Sequence, residues 1–173
     1  GMYQWSLDWS STFEENDEGA TLVDGESRTF TINSVDVGIG NTTVFFYFIN
    51  CGEGSTGAVT DNPDELQYVV SPPAGVDTGG MVLSGTITCS SLGTVVNDYA
   101  EAEVYLPSEE YAPDEATYLS YIEFLTPFDG EWSVEVTAIV EGGVTPVDND
   151  PDLFVQVGLS LRGYDGFTAE QRD

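Results

Sequence analysis

Apolar and polar side chains alternate along most of this sequence, and this period of two constrains the fold more than any other feature. The clearest runs cover residues 131–140 and 153–162. In the first, Trp132, Val134 and Val136 are separated by polar residues. Such alternation is typical of a β-strand with one face in a core and one face in solvent. No segment of helical length repeats apolar residues three and four positions apart, so the sequence predicts an all-β protein.

Further strand-like segments are bounded by Gly, Pro, Asp and Asn. They cover residues 2–9, 42–51, 66–70, 81–89, 100–106 and 117–125, and a further strand has Phe30 and Ile32 on one face. Asp24-Gly25 predicts a hairpin turn, and residues 108–111 are the best candidate for a short helical turn. About nine or ten strands with one apolar face each bury those faces by stacking two sheets. We therefore predict a single antiparallel two-sheet β-sandwich over residues 1–173, immunoglobulin-like or jelly-roll in topology, with a closed barrel as the alternative.

Residues 42–51 are rich in β-branched and aromatic side chains at both parities. This composition predicts a central strand. The longest apolar run, from Val44 to Ile49, is far shorter than the roughly 20 residues of a membrane-spanning helix. We therefore expect no insertion of this chain into a membrane.

The two ends of the sequence are polar. Residues 1–4 show no signal peptide, and Gly1 before Met2 suggests the scar of a cleaved tag. The polar segment 164–173 fits either a free terminus or a cut made before an anchor. Whether a signal or an anchor was trimmed from the natural protein is therefore open.

The charge balance excludes several classes of function. The chain has 31 Asp plus Glu, no His and only three cations (Arg28, Arg162 and Arg172), giving a net charge of −28. Because phosphate backbones are neutralised by clustered cations, we expect no nucleic-acid partner. Without His or Lys there is no imidazole base, Schiff base or Walker-type phosphate loop. Of the enzymes, a carboxylate-only hydrolase fits this composition best, and the leading prediction is no catalytic activity.

Two explanations remain for the acidic excess. A charge of this size repels itself unless salt screens it, as in proteins adapted to halophilic or marine habitats. The alternative is an acidic function such as calcium binding. Asp148, Asp150 and Asp152 place oxygen ligands at alternate positions, although an EF-hand is excluded because Leu153 and Leu159 stand where its Gly and Glu belong. Apart from calcium at this loop, we expect no cofactor.

Cys51 and Cys89 each close a predicted strand on its apolar parity. If those faces meet across the core, a disulfide forms readily, and such bonds persist mainly outside the reducing cytosol. The alternative is a pair of buried free thiols in a cytosolic protein. We favour the disulfide and an extracellular or cell-surface location.

Aromatic residues on a strand face serve either the core or the stacking of sugars. Tyr3, Trp5 and Trp9 form one such stripe, and Tyr118 and Tyr121 lie in another segment. Core packing is the commoner role for large aromatics, and we expect Trp132 in the core. Asp77-Thr78-Gly79 has the letters of the aspartic-protease triplet, but it follows a Pro- and Gly-rich segment and predicts a turn.

The segment around Gly130, Trp132, Val134 and Val136 resembles the Gly-x-Trp-x-Val-x-Val strand of extracellular immunoglobulin-like and jelly-roll modules. The resemblance implies a sandwich and a surface habitat, and it assigns no site residues. We therefore predict a non-catalytic, salt-adapted, secreted or cell-surface module acting in adhesion, ligand binding or envelope structure, with an unidentified protein or glycan as partner. The alternatives are a carbohydrate-binding module, with or without calcium, and a carboxylate-only hydrolase.

Overall fold

Two antiparallel sheets pack face to face, and two short strands form a third sheet. The computed structural model describes residues 1–53, 64–90, 92–140 and 152–172. The strands are β1 (Tyr3–Val23), β2 (Ser27–Asn33), β3 (Thr42–Glu53), β4 (Glu65–Ser71), β5 (Ser84–Thr88), β6 (Thr94–Glu101), β7 (Val104–Tyr105), β8 (Glu109–Ala112), β9 (Glu123–Phe124), β10 (Glu131–Ile139) and β11 (Asp152–Arg172). A helix, α1, spans Glu115–Leu119. Within these residues no helix is long and apolar enough to cross a membrane.

The strand order identifies the sandwich as a jelly roll. The large sheet has the order β6-β3-β11-β1-β8, and the second sheet has the order β2-β10-β4-β5. Four antiparallel pairs are nested inside one another along the chain, namely β1 with β11, β2 with β10, β3 with β6 and β4 with β5. This nesting is a long hairpin rolled into two sheets, which is the jelly-roll architecture. The predicted all-β sandwich is confirmed.

The core lies between the two sheets and follows the predicted alternation. Trp132 of β10 is fully buried, as predicted, and its ring stacks on Phe45 of β3 at a centroid distance of 4.0 Å. The indole Nε1 donates a hydrogen bond to the carbonyl oxygen of Phe128 at 3.0 Å. Burial of such large rings supplies much of the stabilising apolar contact in a sandwich of this size.

The predicted disulfide between Cys51 and Cys89 is present. The two Cα atoms lie 5.4 Å apart, and both residues are fully buried. Cys51 belongs to β3 of the large sheet, whereas Cys89 follows β5 of the second sheet. The bond therefore joins the two sheets through the core.

Strands β1 and β11 extend together beyond the sandwich as a long ribbon. Their register shifts at a bulge between the pairs Asp8 with Thr168 and Ser10 with Asp165. Gly166 takes a φ of 63° there, a conformation that glycine adopts without strain. Past the bulge, the polar segment after residue 164 continues as strand up to Arg172.

A second hydrophobic cluster covers the end of this ribbon. It is built on Trp5, Leu7, Ala112 and Tyr118. The Trp5 ring stacks on Tyr118 at 6.3 Å, and its Nε1 donates to the carbonyl oxygen of Ala112 at 3.0 Å. The segment between β6 and β10 thus folds back onto the first and last strands.

Two local predictions in this segment were wrong. Residues 108–111, expected as a helical turn, lie largely in strand β8, and residues 117–125, expected as a strand, contain the end of α1 and then β9. The helix begins there because Asp114 is an N-cap, whose Oδ1 accepts a hydrogen bond from the Thr117 amide at 2.7 Å. That hydrogen bond holds the pKa of Asp114 below its usual value.

The turn at Asp24-Gly25 is present but does not form a hairpin. Gly25 has a φ of 78°, yet β1 lies in the large sheet and β2 in the second sheet. The Gly25 amide donates to the carbonyl oxygen of Ala138 at 2.8 Å, and the Val140 amide donates to Asp24 Oδ1 at 3.0 Å. The turn carries the chain from one sheet to the other because β10, rather than β1, pairs with β2.

Candidate functional site

The outer faces of the two main sheets differ in chemistry. On the second sheet the outward residues are mostly hydroxyl, amide and carboxylate side chains, with Val69 as an exposed apolar residue. They include Thr29, Thr31, Gln67, Thr86, Glu131 and Glu135. This is the ordinary surface of a half-buried antiparallel sheet.

On the large sheet the outward face carries aromatic rings. Phe46 and Phe48 of β3 are half-buried, whereas Phe13 of β1 is 52% exposed and Tyr99 of β6 is 59% exposed. Phe154 of β11 is also half exposed. Contiguous exposed apolar surface on a soluble protein commonly marks an interaction site. We call Phe13, Val44, Phe46, Phe48 and Tyr99 the aromatic face.

The register of four strands brings these residues together. Phe46 is opposite Tyr99 on one side and Ser160 on the other, and Ser160 is opposite Glu15. In the neighbouring row, Val44 is opposite Arg162, which is opposite Phe13. Neighbouring strands lie about 4.8 Å apart, so both rows form one continuous surface.

A glycine in the central strand makes room for one of the rings. Gly158 of β11 is opposite Phe48 of β3. A Cβ atom at residue 158 would overlap the Phe48 ring, with the ring atoms Cε1 and Cζ among its nearest neighbours. The ring therefore lies over the backbone of β11, which explains why Gly158 is buried on an outward face.

The aromatic face surrounds a cavity of about 370 Å³. Besides the aromatic face, Glu15, Ser160 and Arg162 line it. Ligand sites typically combine an apolar lining with a few polar groups that fix orientation. This cavity has that composition, with a carboxylate, a hydroxyl and a guanidinium beside the rings.

The aromatic residues singled out in the sequence are divided between core and surface. Trp5 and Tyr118 are buried in the second cluster, and burial raises the pKa of Tyr118. Tyr3 is 47% exposed and Trp9 is 42% exposed. Trp9 lines a separate cavity of about 350 Å³ with Leu106 and Tyr164.

Sequence analysis did not identify the aromatic face as a site. Residues 44–49 are apolar at every position, which predicted a strand covered on both sides. The structure covers only one side, because no layer of the described residues packs over Phe46 and Phe48. The sequence does contain a local signal, because a glycine inside a strand, such as Gly158, often marks a position where another group approaches the backbone closely.

Three further cavities contain two or more carboxylates. One, of about 480 Å³, includes Glu101 and Glu103. Another, of about 400 Å³, includes Asp8, Glu109 and Glu170, and a third, of about 390 Å³, includes Glu110 and Glu123. The Tyr105 hydroxyl donates to Glu110 Oε1 at 3.1 Å, and this hydrogen bond raises the pKa of Tyr105. Acidic side chains are so abundant here that their proximity alone assigns no chemistry, and a hydrolase stays a prediction.

The predicted calcium loop is only partly described. Asp148 and Asp150 lie outside the described residues, and Asp152 begins strand β11 with a partly buried side chain. Among the residues that the structure describes, no group of three or more acidic side chains is arranged to hold a metal ion. The calcium site at Asp148, Asp150 and Asp152 therefore stays a prediction.

The Asp77-Thr78-Gly79 triplet forms a turn, as predicted. The Gly79 amide donates to Asp77 Oδ1 at 2.8 Å, and Gly79 has a φ of 61°. The Asp77 carboxylate thus stabilises its own loop.

No protein-family model matches this sequence, and no curated protein matches it. Among solved structures, dimeric latent PorU from Porphyromonas gingivalis has a TM-score of 0.39 at 10% identity over 90% of this chain, and the match spans 13% of PorU. Decameric BFDV capsid protein has a TM-score of 0.39 at 8% identity, covering 95% of this chain and 100% of its own. Desmodium yellow mottle tymovirus has a TM-score of 0.32 at 11% identity, covering 91% of this chain and 90% of its own. Likeness at this level says nothing about function, so the proposals below rest on the geometry of this chain.

Proposed function

We propose that this protein is a non-catalytic, salt-adapted binding module of the extracellular space or the cell surface, and that it binds its ligand on the aromatic face. The observation that carries the proposal is the contrast between the two sheets. A jelly roll requires apolar side chains only between its sheets. Here Phe13 and Tyr99 are more than half exposed on the outer side of one sheet, next to a cavity that the sandwich itself does not need.

The extracellular location is supported by the buried disulfide. Cys51 and Cys89 form a bond between the sheets, and disulfides of this structural kind are maintained in oxidising compartments. The net charge of −28 supports a salty habitat, where screening reduces self-repulsion. Immunodetection of the protein in culture supernatant and on intact cells of the source organism tests the location, and confinement to the cytosol would contradict it.

Carbohydrate is the ligand class that the cavity favours. Aromatic rings contact the apolar faces of sugar rings, while hydroxyl, carboxylate and guanidinium groups hydrogen-bond to sugar hydroxyls. Phe46 and Tyr99 supply the rings, and Glu15 and Ser160 supply acceptors beside them. The flat, open shape of an outer sheet face suits an extended glycan chain.

The test is binding to an array of neutral and acidic oligosaccharides in buffer with about 0.5 M sodium chloride, where the charge of the protein is screened. We expect Tyr99→Ala to weaken glycan binding about tenfold or more, the loss typical of a residue that anchors a ligand. Tyr111→Ala is the matched control, because Tyr111 is 61% exposed but lies on β8. A blank array would contradict carbohydrate binding, and hydrolysis of the bound glycan would contradict a non-catalytic role.

A further inference from the structure

Arg162 holds an unusual position in a molecule with so few cations. Arg172 donates from Nε to Ser6 Oγ at 3.0 Å near the end of the ribbon, and Arg28 lies on β2 in the second sheet. Arg162 alone of the three lines the cavity of the aromatic face. It stands between Phe13 and Val44 in the strand register.

Arg162 is an exposed residue, and within the described part of the chain its guanidinium has no hydrogen-bond or ion-pair partner. Glu15 lines the same cavity, but it is opposite Ser160 rather than Arg162. A chain with 31 acidic residues could have paired this cation readily. Its donors are instead available to a molecule in the cavity.

We infer that the aromatic face binds a glycan residue that carries a carboxylate, with Arg162 receiving that carboxylate. The inference rests on the proposed function and names the ligand class of the same site. A guanidinium matches a carboxylate with two parallel hydrogen bonds. In a uronic acid the carboxylate projects from the edge of the sugar ring, so the apolar face of that ring can contact Phe46 or Tyr99 at the same time.

The net charge gives this binding a distinctive dependence on salt. Both the protein and an acidic glycan are negative, so their long-range repulsion opposes association in dilute buffer. Salt screens that repulsion, with a Debye length of about 30 Å at 0.01 M and about 10 Å at 0.1 M. The contact with Arg162 is much shorter than the Debye length, so screening reduces it less than it reduces the long-range repulsion. Affinity for the acidic glycan therefore rises with salt, whereas an isolated ion pair weakens.

Isothermal titration with uronic-acid trisaccharides tests the inference. Each trisaccharide is compared with its methyl ester, which keeps the sugar and removes the charge, at about 0.02 M and about 0.5 M sodium chloride. At the higher salt we expect the acid to bind about tenfold more tightly than the ester, the factor that one charge-assisted contact supplies. We also expect the acid to bind several-fold more tightly at high than at low salt.

Two variants with the same change in charge locate the effect. Arg162→Gln removes the preference for the acid, so that the acid and the ester bind with similar affinity. Arg28→Gln, on the other sheet, keeps the preference. If acid and ester bind equally, or if Arg28→Gln has the same effect as Arg162→Gln, the inference is wrong while carbohydrate binding stands.

Other outcomes separate the inference from the proposed function. If neither form binds but neutral glycans do, the inferred acidic ligand class is wrong while carbohydrate binding stands. If no oligosaccharide binds, the proposed carbohydrate function fails as well. A second copy of this chain is the other molecule that could cover the aromatic face, and sedimentation velocity in about 0.5 M salt tests for it. A dimer that is abolished by Phe46→Ala would place a second copy on the aromatic face and overturn the inference.

Discussion

The ring of Phe48 occupies the space that a side chain at residue 158 would need. Gly158→Val must therefore move the ring off the backbone of β11. We expect the free energy of unfolding to fall by about 1–3 kcal/mol, the usual cost of overpacking, and ligand binding on the aromatic face to weaken. Urea denaturation and isothermal titration measure the two effects.

Gly80→Val is the matched control, because a Cβ at residue 80 meets no atom within 4 Å. We expect it to leave the free energy of unfolding within about 0.5 kcal/mol of the wild type. The double variant Phe48→Ala with Gly158→Val should recover part of the lost stability, since the clash is then absent. Equal losses in the two valine variants would refute the role of the ring.

Removing the disulfide is expected to destabilise the protein strongly. Cys51 and Cys89 are separated by 38 residues, and closing a loop of that length contributes about 3–4 kcal/mol in the chain-entropy model. The Cys51→Ala and Cys89→Ala double variant should lose that stability in urea denaturation. Adding reductant should destabilise the wild type and leave the double variant unchanged, and a wild type indifferent to reductant after unfolding would contradict the expectation.

Salt is expected to raise the thermal midpoint. The net charge of −28 makes self-repulsion large in about 10 mM sodium chloride, and about 1 M salt screens it. Calorimetry should show a higher midpoint at high salt, with potassium and sodium chloride acting alike. A single transition at both concentrations would also support the predicted single domain. Identical midpoints would exclude salt adaptation.

Asp165 gives the ribbon a stability that depends on pH. The hydroxyls of Ser10 and Thr12 donate to its two carboxylate oxygens at 2.8 Å and 3.0 Å, and these hydrogen bonds hold the pKa of Asp165 below its usual value. Because the pKa is lower in the folded state, the stabilisation is present above the unfolded pKa of about 3.9. It is lost as the pH falls through the folded pKa.

Asp165→Asn should therefore be less stable than the wild type at pH 7, and the difference should shrink below about pH 4. Comparing the two proteins at each pH cancels most of the change caused by the other acidic groups. Asp36→Asn is the control, since Asp36 is exposed and the substitution changes the charge equally. A difference between wild type and Asp165→Asn that persists at low pH would exclude this explanation.

Strands with one polar face could be predicted from the sequence. The short helix and the full length of β1 could not, because they depend on capping and on pairing with distant strands. Residues 131–138 alternate strictly, and β10 covers them and ends at Ile139. The helix α1 is only five residues long, too short to show a helical period, and its sequence signal is the N-cap residue Asp114. The length of β1 was missed because residues 10–19 are polar at nearly every position and are held as a strand by pairing with β11.

The aromatic face could not be predicted from the sequence for the same reason. A strand that is apolar at both parities predicts burial on both faces, yet which face is covered depends on where the other sheet and the segment after β6 pack. Arg162 was counted among the cations, but its place beside Phe13 and Val44 follows only from a register between strands far apart in sequence.

The nested pairing has a consequence for the order in which the polypeptide is made. Strand β11 lies between β3 and β1 and supplies Arg162, Ser160 and Gly158, so the ribosome must have synthesised this strand before the aromatic face can form. Before β11 is made, neither β1 nor β3 has the strand that pairs with both of them in the large sheet. A polypeptide that ends before β11 would carry the rings of β1, β3 and β6 without the cation, and the surface is completed only when β11 pairs with β1 and β3.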